Sequence, residues 1–473
     1  MSIDNIAQHI ADATWGFLPS RQVKPVHLAN GLFRELTQQS KTPALLRKAA
    51  GGFRSGRSRE TTKQCREQIR SRVIEPEAGD IPLGRVEQLR AALDLVFHQD
   101  RALFATGSYY SPTLTHRGHT TKDPSHSGTG VFLAHVLLDG SPKTVSVLRN
   151  ILDIESDNVS LLASPLVDDA PMAPPPECSE DVRRRVAESP LLGGVQSSFE
   201  TVSSYAEYLE KTVLLQRIVT LGSFALLLHL ASPYEWKHPS KPPLFLASND
   251  PSRAARDASR ATYRVASRGM LHAFEAGLKH EYSSSGQDDL SGEEYLELVK
   301  TTLFNREEPS EERSLDQFRL NYRTERAGES PAFQSFVQAL APIAFEYVGS
   351  SAPTSCYAFL GRLAGVVFPR LGGAGDKYYR PAPQFLDMLV ASLVQPRTEV
   401  PASTFWSLAW ERYGIICGAR KERDAEVLQS WGIPTLSATH LSRNALKLNA
   451  ELQRMGYLQR FADGVGLISS GVK

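Results

Sequence analysis

Five arginines near the middle of the chain repeat at the spacing of one face of an α-helix. Their separations are 3, 4, 4 and 4 residues, and they are Arg253, Arg256, Arg260, Arg264 and Arg268. At about 100° per residue, all of them fall within an arc of roughly 120°. A guanidinium group donates two parallel hydrogen bonds to a phosphate group. This arginine stripe is therefore suited to contact with the phosphate backbone of a nucleic acid.

Two other interpretations of the arginine stripe remain open. Like charges three and four residues apart repel one another on a helix, so acidic groups elsewhere in the chain could neutralise them. The sequence offers such groups in Glu307, Glu308, Glu311 and Glu312. The stripe could also be a face that only water covers.

The residues before the stripe predict how its helix begins. The apolar run 244–247 is typical of a short buried strand. Ser248, Asn249 and Asp250 are N-capping residue types, and Pro251 suits the first position of a helix. An aspartate after a buried strand can also be a catalytic acid. Capping explains Asp250 more simply, and we expect it to cap the helix.

A second basic segment, residues 47–72, contains nine Lys and Arg side chains and two Glu side chains. Glycines make its first half flexible, so the segment could become ordered on a phosphate backbone. Arg54, Arg57 and Arg59 are the candidate contacts in this segment. A basic surface loop without a ligand is the alternative interpretation.

Residues 396–473 have the clearest helical pattern in the chain. Helices are predicted over 404–413 and 421–431, and a glycine follows each of them, as is common at helix ends. A third predicted helix carries apolar residues at spacings of 4, 3, 4 and 3: Leu441, Ala445, Leu448, Leu452 and Met455.

The third helix is followed by a predicted β-hairpin. Residues 457–461 and 465–469 flank Asp463-Gly464, a strong two-residue turn signal. Helix, helix, capped helix and hairpin is the order of a winged helix, whose third helix enters the major groove of DNA. The basic residues on another face of this helix, which would contact DNA, are Arg443, Lys447 and Arg454. Many such modules bind proteins instead, and this alternative stays open.

The sequence lacks the common signatures of phosphate-loop and serine-hydrolase enzymes. Lys377 follows Asp376 instead of glycine, so residues 372–377 do not fit a phosphate-binding loop. A GxSxG nucleophile motif is absent from the sequence. We therefore favour a non-catalytic protein, while an enzyme with a site assembled from distant residues stays open.

Three histidines could form a metal site. His116, His119 and His126 lie close together in sequence, with Asp123 between them, and these are metal-ligating residue types. The surrounding residues 107–130 are rich in Ser, Thr and Gly and are typical of a surface loop. We therefore expect no metal ion and no cofactor.

Composition narrows the class of protein. The chain has 473 residues, 41% of them apolar and 22% charged, with a formal net charge of +1, so any electrostatic partner must recognise local clusters. Its four cysteines form no CxxC pair, which indicates free thiols in the cytoplasm. The most apolar run, 213–230, contains Gln216, Arg217 and His229. It predicts a buried core helix with a core histidine, not a membrane span.

These patterns predict a mainly α protein with an α+β N-terminal part. Strand-like runs at 131–138 and 159–163 place the β structure in a mixed α/β domain over 1–165. A Pro-rich linker follows at 166–181, since prolines hold a chain extended. A helical domain with the arginine stripe covers 182–395, and the winged-helix-like domain covers 396–473.

The expected function is DNA binding by a non-catalytic subunit of a multi-protein bacterial assembly for DNA processing or antiviral defence. Its partners would be duplex DNA and other protein subunits. A helical scaffold that docks an acidic partner protein is one alternative. An enzyme, for example a nuclease, is another.

Overall fold

The computed structural model describes most of the chain. The described residues are 2–20, 23–38, 59–73, 81–100, 116–120, 128–153, 158–167, 172–232, 242–304, 309–349, 352–369, 376–433, 436–462 and 465–472.

Helices dominate the described residues, which confirms the mainly α prediction. In chain order they are α1 (Ile3–Trp15), α2 (Pro25–Thr37), α3 (Arg59–Val73), α4 (Leu83–Asp100), α5 (Thr129–Gly140), α6 (Pro142–Asp153), α7 (Asn158–Ala163), α8 (Glu180–Glu188), α9 (Pro190–Ser203), α10 (Lys211–Ala231), α11 (Arg253–Ser284), α12 (Gly292–Leu298), α13 (Pro309–Ala327), α14 (Ala332–Glu346), α15 (Pro353–Ala364), α16 (Pro383–Leu393), α17 (Ala402–Tyr413), α18 (Lys421–Ser430) and α19 (Ala438–Arg454).

The strands among the described residues are short and form three small sheets. They are β1 (Leu244–Phe245), β2 (Val367–Phe368), β3 (Tyr378–Tyr379), β4 (Glu399–Pro401), β5 (Ile415–Ile416), β6 (Leu458–Arg460) and β7 (Gly466–Ser469). Strands β1 and β5 pair in parallel, and β2 and β3 pair antiparallel. The third sheet is antiparallel in the order β4-β7-β6.

The chain divides into two compact units. One consists of Met1–Gln22, Arg184–Val195 and Ser223–Lys473, and the other of Val23–Arg183 and Gln196–Gly222. Within the predicted linker, residues 172–179 form neither helix nor strand. The domain limits drawn from the sequence remain predictions. The two compact units do not coincide with them, because each unit is built from separate segments of the chain.

The smaller unit is helical where the sequence suggested strands. The runs 131–138 and 159–163 lie in α5 and α7, so both strand predictions are wrong. A short apolar run is typical of a buried helix as well as of a strand, and α5 is mostly buried. Gly130 at its start lies against the backbone of α2, where an added Cβ would come 2.6 Å from the amide nitrogen of Leu32. None of the described residues before position 165 lies in a strand, so the α+β N-terminal part is not confirmed.

The apolar run of the sequence forms α10, as predicted. By length and composition this helix could cross a membrane, and 83% of its most apolar window is buried inside the protein. Apolar side chains are distributed around most of the circumference of this helix, which is typical of a helix packed within a core.

His229, on α10, is a core histidine, as the sequence indicated. Its Nε2 lies 2.9 Å from the carbonyl oxygen of Trp15 and must donate to it, because a carbonyl only accepts. The side chain is buried, and burial lowers the pKa of His229 to about 4, with the charge of Arg185 adding to the effect. The imidazole is therefore neutral in the folded protein at neutral pH.

This burial predicts a loss of stability in mild acid. The unfolded chain binds a proton on His229 near pH 6.5, whereas the folded protein binds one only near pH 4. Above pH 6.5 His229 is neutral in both states and does not reduce the free energy of unfolding. As the pH falls from 6.5 to 4, only the unfolded chain takes up the proton, so the free energy of unfolding decreases. Between pH 7 and pH 5, we expect wild type to lose about 2 kcal/mol more unfolding free energy than His229→Gln, measured by urea denaturation. Equal losses in the two proteins would contradict this prediction.

The larger unit places α11 against the C-terminal helices. The first half of α11 shares one hydrophobic cluster with β1, β5, α18 and α19. Members of this cluster include Phe245, Ala258, Ile416, Leu428 and Leu441. A single continuous core therefore fixes the arginine stripe and the third predicted C-terminal helix within the same unit.

The predicted C-terminal hairpin is confirmed. Strands β6 and β7 pair antiparallel, with Leu458 opposite Ile468 and Arg460 opposite Gly466. The turn residues Asp463 and Gly464 lie outside the described residues. Strand β4, which the sequence analysis did not predict, pairs with the other side of β7.

Candidate nucleic-acid interface

The helix with the arginine stripe begins at Arg253, eight positions after the last residue of β1. Its N-cap is Ser252, whose hydroxyl accepts a hydrogen bond from the Ala255 amide at 3.2 Å. The prediction that Asp250 caps this helix is therefore wrong. A serine hydroxyl can accept the capping hydrogen bond as an aspartate carboxylate can. The Asp250 carboxylate instead pairs with Lys447.

Four of the five stripe arginines are exposed, and Arg260 is half-buried. The helix turns its small and apolar residues inward: Ala255, Ala258, Thr262, Val265 and Ala266 are buried. The stripe therefore occupies the outer face because the opposite face forms part of the core. From Arg253 to Arg268 the stripe is about 22 Å long, at a rise of about 1.5 Å per residue.

Few carboxylates neutralise the stripe. Asp257 lies 3.8 Å from Nε of Arg253 and 3.4 Å from Nη1 of Arg260. Within the described part of the chain, Arg256, Arg264 and Arg268 make no ion pair. Of the acidic residues named above as alternative partners of the stripe, Glu307 and Glu308 lie outside the described residues, and Glu311 and Glu312 lie in α13.

A buried asparagine, Asn444, links helix α19 by hydrogen bonds to the residues that follow the parallel strands β1 and β5. The Asn444 Nδ2 group donates to the carbonyl oxygens of Leu246, at 2.8 Å, and Cys417, at 3.0 Å. Its Oδ1 atom accepts from the Ser248 amide at 2.9 Å. Asn444 therefore holds the segment between β1 and α11 and the residue after β5 against the middle of α19.

Sequence analysis missed the role of Asn444. The residue lies three positions after Leu441 and four before Leu448, both members of the apolar stripe of α19. A polar residue at an inward-facing position was the available signal, because a buried amide must find hydrogen-bond partners.

The three basic residues predicted on α19 have different environments. Arg443 is exposed and makes no ion pair with any described residue. Lys447 lies 2.6 Å from Oδ2 of Asp250, and Arg454 pairs with Glu451. The hydrogen bond and charge of Lys447 hold the pKa of Asp250 below its usual value. Arg443 is therefore the member of this group whose charge is available.

A pocket of about 210 Å³ lies where α11 and α19 meet. Its lining comprises Ser248, Asp250, Pro251, Ser252, Ala255, His440, Arg443, Asn444 and Lys447. The structure thus brings two predicted contacts, Arg443 and Lys447, next to the beginning of the arginine stripe.

The predicted contacts of the 47–72 segment are mostly outside the described residues. Arg54 and Arg57 lie there, and Arg59 is the first residue of α3. Their part in an interface remains a prediction.

The first two histidines of the predicted cluster are buried and do not lie in a surface loop. His116 is the N-cap and His119 the last residue of a short buried 3₁₀ helix, so the prediction of a surface loop is wrong for residues 116–120. Burial, with His119 nearby, lowers the pKa of His116 to about 4. The neutral ring accepts a hydrogen bond from the Gly118 amide at 3.1 Å. His126 and Asp123 lie outside the described residues, and the described ones contain no cluster of three metal-ligating side chains.

The geometry defines a mainly helical protein with an exposed arginine face beside a polar pocket. No known protein-family model matches the chain, and no curated protein matches it. Inference about its function therefore starts from its own side chains.

Proposed function

We propose that this chain binds the phosphate backbone of duplex DNA through the arginine stripe of α11. The observation that supports the proposal is the row of exposed guanidinium groups of Arg256, Arg264 and Arg268, which make no close ion pair with a carboxylate in the described part of the chain. Arginine binds phosphate bidentately, and its charge does not titrate near neutral pH. Backbone contacts of this kind give affinity without sequence specificity.

The C-terminal region is proposed to be a winged-helix variant. Support comes from the order α17, α18, α19 and hairpin, and from the three-stranded antiparallel sheet that the hairpin forms with β4. Helix α19 would be the recognition helix, but Lys447 and Arg454 are paired with carboxylates. The proposal therefore places the main DNA contact on α11, with Arg443 extending it.

The biological setting is proposed from the sequence alone. We place the chain in the cytoplasm, as a non-catalytic subunit of a bacterial DNA-processing or antiviral defence assembly that contains other proteins. An acidic protein surface could occupy the same arginine face, and the salt dependence of duplex binding tests DNA directly.

Binding of a fluorescently labelled duplex should fall steeply with salt. Each phosphate contact contributes about −0.9 to the slope of log affinity against log salt, so three unpaired arginines predict a slope of about −3 or steeper. Fluorescence anisotropy between low and physiological KCl concentrations would measure it. A chain that fails to bind duplex at low salt would exclude the proposed function.

A further inference from the structure

The pocket between the start of α11 and α19, called the α11–α19 pocket below, has a polar lining. Its polar side chains are Ser248, Asp250, Ser252, His440, Arg443, Asn444 and Lys447. The volume of about 210 Å³ compares with about 30 Å³ for one water molecule in the liquid. It therefore has room for a small polar group.

One residue that lines this pocket, Ser248, has a polar side-chain atom without a partner within the described part of the protein. Ser248 is only 1% exposed, and its buried hydroxyl group makes no hydrogen bond. Buried hydroxyl groups are nearly always hydrogen-bonded, because leaving one unpaired is costly. An oxygen atom of a bound group would supply the missing partner.

The other groups in the pocket favour an anion. The positive end of the α11 dipole lies at Ser252, and Arg443 contributes a guanidinium group without an ion pair among the described residues. His440 contacts the Ser437 hydroxyl through Nδ1 at 2.9 Å, which leaves its Nε2 atom for another partner. The one carboxylate, Asp250, is neutralised by Lys447 at 2.6 Å. Donors and positive charge exceed acceptors around the space.

We propose that the α11–α19 pocket binds the terminal phosphate group of a nucleic-acid strand. This inference rests on the proposed function, because the arginine stripe starts at the same end of α11 and would hold the adjoining backbone. A terminal phosphate is linked to the strand through one oxygen only, so its other oxygens can enter the pocket beside the side chain of Ser248. An internal phosphodiester is linked on both sides and cannot turn into the pocket as freely.

Titration of the full chain with inorganic phosphate tests the pocket without DNA. Isothermal titration calorimetry at pH 7.5 and low salt should show saturable binding in the millimolar range. Arg443→Gln should weaken it by about tenfold or more, since it removes a charge-assisted hydrogen bond. Ser248→Ala should weaken it by a smaller factor.

A gain of affinity makes the test sharper. Asp250→Asn removes the carboxylate that repels an anion and releases Lys447, so phosphate should bind several times more tightly. Arg454→Gln, on the same helix but outside the pocket lining, is the matched control and should bind as wild type does. Thermal unfolding of each variant would verify that it is folded. Absence of saturable binding, or equal binding by all variants, would overturn the proposal.

Duplexes of one sequence that carry a 5′-phosphate, a 3′-phosphate or neither then identify the source of the phosphate. One phosphorylated end should raise affinity several-fold in wild type, and Arg443→Gln should remove the difference. If duplex binds with the predicted salt slope but neither end phosphate changes affinity, the pocket proposal fails alone. If inorganic phosphate binds and duplex does not, both the proposed function and the nucleic-acid source of the phosphate fail.

Discussion

Reversing two charges of the arginine stripe should reduce duplex affinity by about a hundredfold. The double variant Arg264→Glu, Arg268→Glu removes two phosphate contacts and places two carboxylates against the DNA backbone, where like charges cost several kcal/mol. The slope of log affinity against log salt should also become shallower by about 2. Fluorescence anisotropy at several KCl concentrations measures both quantities.

The fold should tolerate this double substitution. Arg264 and Arg268 are exposed and make no ion pair among the described residues, so the change in unfolding free energy should stay within about 0.5 kcal/mol. The matched control is Arg319→Glu, Arg323→Glu on α13, which has the same spacing and the same change in net charge. Equal losses of affinity in both double variants would show that net charge, and not the α11 face, governs binding.

Asn444→Leu should lower the free energy of unfolding by roughly 3–6 kcal/mol. Leucine has the same branching at Cγ but cannot replace the hydrogen bonds to Leu246, Cys417 and Ser248. Each unsatisfied buried backbone group costs about 1–3 kcal/mol. Urea denaturation would measure the change from the midpoint at constant m-value.

The same variant tests whether Asn444 positions the interface. Arg443 precedes it on α19, and Ser248 in the pocket donates its amide to it. We therefore expect inorganic phosphate to bind more weakly to Asn444→Leu even where the protein remains folded. Gln453→Leu, at an exposed site of α19, is the control and should alter stability by about 0.5 kcal/mol or less. A loss below about 1 kcal/mol in Asn444→Leu would contradict the role assigned to this residue.

Local patterns in the sequence predicted the elements whose causes are local. The spacing of the arginines predicted the helix that became α11, and Asp463-Gly464 predicted the hairpin of β6 and β7. Both signals depend on residues within a few positions of one another. The apolar run that forms α10 was recognised for the same reason.

Contacts between distant parts of the chain could not be read in this way. Asn444 bonds to Leu246 across 198 positions, and the Asp250 carboxylate pairs with Lys447 rather than capping its helix. Segment 131–138 was predicted as a strand because a short apolar run is typical of both a buried strand and a buried helix. In the structure it forms part of α5, which packs against α2. The outward direction of the stripe likewise depends on which face of α11 the core covers.

The most direct test of the proposed interface is the reactivity of individual arginines toward phenylglyoxal, followed by mass spectrometry, with and without saturating duplex DNA. Arg256, Arg264 and Arg268 should be protected when duplex is bound, while Arg319 and Arg323 on α13 should react as before. Unchanged reactivity of the three stripe arginines in a chain that binds duplex would place the DNA on another surface and contradict the proposal.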